Sequence, residues 1–200
     1  MPDSWRFYRF DYAQYLELRP ALRSATTPAA FAALADSPET DAITEAVESG
    51  EITIEAARHG WLIAVCCVGE GLLLEGGFPR LVAALGRRRG AEDAAERLAE
   101  LAAGGKNLEA WLQPSFGLTG FLTPQETAAL ATDYARLTAS GRLRSGKKRK
   151  TRRGGLVGFV RNFFRRLLDA GLPAEELAPL IGELLTEAAR KGEGVAVVSG

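Results

Sequence analysis

Eight cations crowd the twelve positions Arg142–Arg153: Arg142, Arg144, Lys147, Lys148, Arg149, Lys150, Arg152 and Arg153. Side chains of this type and density neutralise phosphates and release their counterions. The chemistry they offer is strong, salt-dependent binding that is blind to base sequence. No aromatic residue is interleaved, so base stacking is not indicated. Downstream, Arg161, Arg165 and Arg166 accompany Phe159, Phe163 and Phe164, a combination that also suits an anionic membrane surface. An anionic protein is a third partner. The plain alternative is a solvated loop that keeps the chain soluble, with the phenylalanines in the core.

Covalent chemistry has fewer candidates. His59 is the only histidine, and Cys66 and Cys67 are the only cysteines. A Cys–His pair would have to use them. On a helix, seven residues bring Cys66 back near the face of His59, but the segment supplies no orienting carboxylate or oxyanion donors. The setting LIAVCCVG is apolar, and adjacent cysteines rarely bridge each other. It reads more simply as two small buried thiols in a reducing compartment. One histidine and two adjacent cysteines do not form the spaced pairs that tetrahedral zinc prefers, and no cofactor is expected. The glycines of GEGLLLEGG (69–77) match neither a Walker-type phosphate loop nor a dinucleotide fingerprint. Glu39, Glu126, Glu175 and Glu176 sit at helix starts, where capping and the helix dipole explain them.

Composition bounds the rest. Over 200 residues, 25 Lys and Arg balance 25 Asp and Glu, so no global field selects a partner. The opening MPDSWRFYRF lacks the apolar stretch of a secretion signal. No run approaches the ~18 apolar residues of a membrane span. A cytoplasmic location is expected.

The elements that must position these groups are mostly helices. Thr123-Pro124 with Glu126 forms a capping box, the clearest element start in the chain. Its inward face reads as Ala128, Ala131, Tyr134, Ala135 and Leu137. Thr27-Pro28 and Ser37-Pro38 repeat the entry device, and Gly50 stops the second of these helices. Ser4–Phe10 reads as a strand. Asp11 caps a helix with Tyr12, Tyr15, Leu16 and Arg19 on its face, ended or kinked by Pro20. Ile52–Val68 reads as one buried helix, with a strand over Trp61–Val68 as the competitor. Gly69–Gly77 reads as a turn-rich segment. Helices follow over Phe78–Leu85 and Ala91–Ala103. After an exposed loop at 140–155 come an amphipathic helix, Leu156–Leu168, and a last helix to about Lys191. That helix turns inward Leu177, Leu180, Ile181, Leu184 and Leu185, and Val195–Val198 closes the chain as a strand.

The segment FLTPQETAALATDYARL, the later aromatic-bearing helix and the terminal KGEGVAVVSG resemble the YfbM-like family of bacterial proteins. In that family a Leu-Thr-Pro-Glu-Glu helix start and a strand near the C-terminus occur in the same order. The resemblance covers about half the chain, and the basic insert at 140–155 departs from it. It implies an α+β domain without an established activity, and no functional residue carries over.

These readings predict one predominantly helical α+β domain over 1–200, with the N- and C-terminal strands paired in a small sheet. The leading functional expectation is a non-enzymatic binding or accessory protein of bacterial type. Its basic loop would meet nucleic acid, another polyanion or a protein, and less readily a membrane surface. The alternative is an enzyme using His59 and Cys66.

Overall fold

A computed structural model describes residues 4–34, 37–75, 78–87, 90, 92–112, 117–139 and 174–199. Among them the chain runs β1 (Ser4–Phe10), α1 (Tyr12–Ser24), α2 (Pro28–Ala32), α3 (Pro38–Glu48), α4 (Ile54–Cys66) and β2 (Cys67–Glu75). It continues through α5 (Phe78–Gly86), α6 (Glu92–Ala103), β3 (Gly117–Leu122), α7 (Pro124–Ala139), α8 (Ala174–Lys191) and β4 (Gly194–Ser199). The expected basic loop at 140–155 and the helix at Leu156–Leu168 lie outside the described residues.

The expected α+β class holds, and the terminal strands are its centre. All pairing is antiparallel, in the order β2-β1-β4-β3, with Phe7 opposite Val197 where β1 meets β4. Alternation along each strand divides the interior in two. Trp5, Phe7, Leu74, Leu122, Val195 and Val197 face one core, shared with α5–α8 through Leu81, Leu98, Leu130, Ile181 and Leu185. Phe10, Leu118, Phe121 and Ala196 face the other, shared with α1–α4 through Tyr15, Leu22, Phe31, Val47, Trp61 and Leu62. Helices therefore cover both faces of the sheet.

Two strands correct the sequence reading. Gly69–Gly77 is expected to turn, but Cys67–Glu75 pairs with β1. The glycines serve close approach: a Cβ on Gly71 would stand 2.5 Å from Arg6 Cγ and 2.6 Å from Tyr8 Cε1. Those two side chains lie across the strand where any larger residue would displace them. The stretch before Thr123 is also a strand. Its bulge between Leu118 and Gly120 adds one residue, so that Leu118 and Phe121 reach the same core. The Thr119 hydroxyl donates to the Val197 carbonyl at 3.0 Å. Gly105 N–H and Phe121 N–H bond across the outer edge, to Thr119 O at 2.7 Å and Lys106 O at 3.1 Å.

Among the helices, the three Ser/Thr-Pro starts are capped as expected: Thr27, Ser37 and Thr123 accept from Ala30, Thr40 and Glu126 N–H. Gly50 ends α3 at φ 75°, and Asp11 caps α1. Pro20, however, does not end α1, which runs on to Ser24. An interior proline costs about 3 kcal/mol. Full burial of Leu22 returns roughly 2 kcal/mol. Arg58 then donates to the carbonyls of Leu22 and Ala25 at 3.2 and 2.9 Å, tying down the last turn with charge-assisted bonds. Leu16, expected inward, is exposed, and so are Ala128 and Ala135. The buried face of α7 is Thr127, Leu130, Ala131 and Tyr134, rotated by about one position because alanine suits either side. In α8, Leu180 is exposed while Ala178 and Ala188 are buried. Pro179 lies inside that helix without ending it.

Candidate functional site

The eight cations proposed to bind, Arg142 to Arg153, lie outside the described residues. What the structure places is charge on the rest of the chain. Those eight take a third of the chain's 25 cations and none of its carboxylates, so the remaining 17 cations face all 25 carboxylates and the rest of the chain carries −8. That negative charge is concentrated. Between Ser24 and Ala57 there is no Lys or Arg. Glu39, Asp41, Glu45, Glu48, Glu51 and Glu55 are all exposed on α3, its C-terminal turn and the start of α4. None of them forms an ion pair among the described residues.

The nucleophile candidates share α4. His59 is 2% exposed and Cys66 fully buried, with both imidazole nitrogens shielded from solvent. The helix is continuous through Gly60, so the glycine beside His59 neither kinks it nor exposes the ring. Gly60 itself fits closely under Ile43, whose Cδ1 would lie 3.3 Å from an added Cβ. Seven residues of helix separate His59 from Cys66 by about 10 Å of rise, two turns apart on one side of the helix and not in contact as a pair. Burial, with Asp11 nearby, pushes the Cys66 thiol up to about 12, and burial beside Cys66 does the same to Cys67. Thiolate is the reactive form, so the environment opposes nucleophilic use. Both cysteines are free; Cys66 is buried as the apolar run predicts, whereas Cys67, the first residue of β2, is only half-buried.

Two carboxylates are gathered by neighbours instead. Glu109 accepts from Tyr15 Oη at 3.3 Å and Trp111 Nε1 at 2.9 Å, and pairs with Arg19. Burial alone would raise its pKa, yet the bonds from Trp111 and Arg19 outweigh it and hold the carboxyl below its ordinary value. The Arg58 guanidinium sits 5.7 Å from the Trp111 ring centre, so the loop after α6 is fastened to α1 and α4. Glu126 combines its capping role with bonds from Asn107 Nδ2 at 2.7 Å and Thr123 N–H at 2.9 Å. Lys106 Nζ lies 3.4 Å away. There too burial raises the pKa and the hydrogen bonds, Thr123 first, more than reverse it. Both clusters hold loops in place, with every partner supplied by the protein. Nothing in the spacing of Glu109 singles it out in sequence, whereas the Thr123–Glu126 interval does mark the second hub.

A groove of about 520 Å³ lies between α7 and α8, lined by Tyr134, Ala135, Pro179, Gly182, Glu183, Thr186, Glu187 and Arg190. Gly182 faces Tyr134, whose Cδ1 would lie 3.4 Å from an added Cβ, an ordinary contact distance. One of its rim charges is engaged elsewhere: Glu187 pairs with Lys191 at 3.1 Å and with Arg9 at 3.5 Å. Gly182 and Pro179 inside a helix were the available sequence signals for this place. Among the described residues, no group of three or more His, Cys, Asp or Glu is arranged to hold a metal ion. No described helix is long and apolar enough to cross a membrane. No protein-family model matches the chain, and neither a curated protein nor a solved structure matches it.

Proposed function

We propose that the chain is a non-enzymatic binding or accessory protein, of bacterial type and cytoplasmic. Its contact with a polyanion is made by Arg142, Arg144, Lys147, Lys148, Arg149, Lys150, Arg152 and Arg153. The observation that carries this reading is the segregation of charge: a +8 stretch of twelve residues on a chain otherwise at −8. A net charge of zero gives the whole molecule no attraction for nucleic acid, so any affinity must come from a local contact. Placement in the YfbM-like family belongs to the same proposal and rests on the helix start at Thr123 and the closing strand.

Nucleic acid is the polyanion that the pattern favours. Cations without aromatics engage a phosphate backbone and leave the bases unread. The test titrates labelled duplex DNA, RNA and anionic vesicles with the intact protein in rising salt. The expected result is binding to nucleic acid that weakens linearly in log–log form and is indifferent to base sequence. Binding to vesicles alone would transfer the contact to a membrane surface. Absence of affinity for all three would end the polyanion reading.

A further inference from the structure

We draw no further inference here: the strongest candidate, the exposed acidic face of α3 and the start of α4 with Glu39, Asp41, Glu45, Glu48, Glu51 and Glu55, is a carboxylate cluster beside which nothing in the structure shows what covers it.

Discussion

Two stretches of this chain carry charge of a single sign, and they differ in what stands behind it. Residues 24–57 hold seven carboxylates and no cation. Their helices nevertheless have a buried side: Phe31, Thr40, Thr44, Val47 and Ala57 enter the core while Glu39, Asp41, Glu45, Glu48, Glu51 and Glu55 point outward. Each helix start there is also capped by a side-chain oxygen. The acidity is the solvated face of elements that fold for other reasons. Residues 142–153 have eight cations and one large apolar residue, Leu143. No apolar stripe of any period runs through them, so their composition cannot be ascribed to one face of a core-forming helix. The comparison teaches that a charge run asks for a partner only when packing does not account for it.

The largest expected effect lies behind the acidic stretch. Trp61 is 1% exposed in the core shared with Phe10 and Leu22. Trp61→Ala is expected to destabilise the protein by about 3–5 kcal/mol in urea unfolding. A loss below about 1 kcal/mol would mean that these helices are not anchored as described.

Next comes Arg58→Met. It keeps much of the stem but leaves the carbonyls of Leu22, Arg23 and Ala25 without the donors they now have. The expected loss is about 2 kcal/mol. Amide exchange should rise first over 20–25, and uniform exchange across α1 would contradict the role given to this guanidinium.

A smaller, pH-dependent effect follows from Glu109 and Glu126. Both folded-state values are depressed, so both groups stabilise the fold above the unfolded carboxylate value of about 4.3. That contribution is lost as pH falls through the lower folded values. The urea midpoint should therefore fall from about pH 5 downward, and Glu126→Gln should flatten the fall because it removes one titrating carboxylate. An unchanged acid limb in that variant would remove Glu126 from the account.

The smallest effect belongs to the acidic surface itself. Glu45→Gln, Glu48→Gln and Glu51→Gln combined should alter stability by no more than about 0.5 kcal/mol. These groups are exposed and unpaired among the described residues. A large loss would show that this charge run is structural after all.

The sequence made most helix starts legible because caps are local: Asp11, Thr27, Ser37, Thr53 and Thr123 each bond an N–H three residues on. The terminal strands were legible through their apolar and aromatic content. β2 was not, because its glycines read as turns, and β3 went unread beside the helix start that follows it. Gly71 makes room for Arg6 and Tyr8 from the neighbouring strand, and Gly120 makes room for the Lys106 carbonyl, 3.0 Å from an added Cβ. Both are long-range demands that no local pattern contains. The persistence of α1 past Pro20 likewise depends on Arg58, more than thirty residues away. For the candidate site, burial of the Cys66 thiol was legible from its apolar run. The engagement of Glu109 was not, since Tyr15, Arg19 and Trp111 meet it only in the fold.

The most direct test of the central claim compares salt dependence in two proteins. Duplex DNA binding is followed in rising salt for the native chain and for the combined variant Lys147→Gln, Lys148→Gln, Arg149→Gln and Lys150→Gln. If these four groups contact phosphates, the slope of log affinity against log salt should become shallower by about 3 to 4, while the urea midpoint stays within error of the native value. An unchanged slope and affinity would contradict the claim that this stretch is the binding contact.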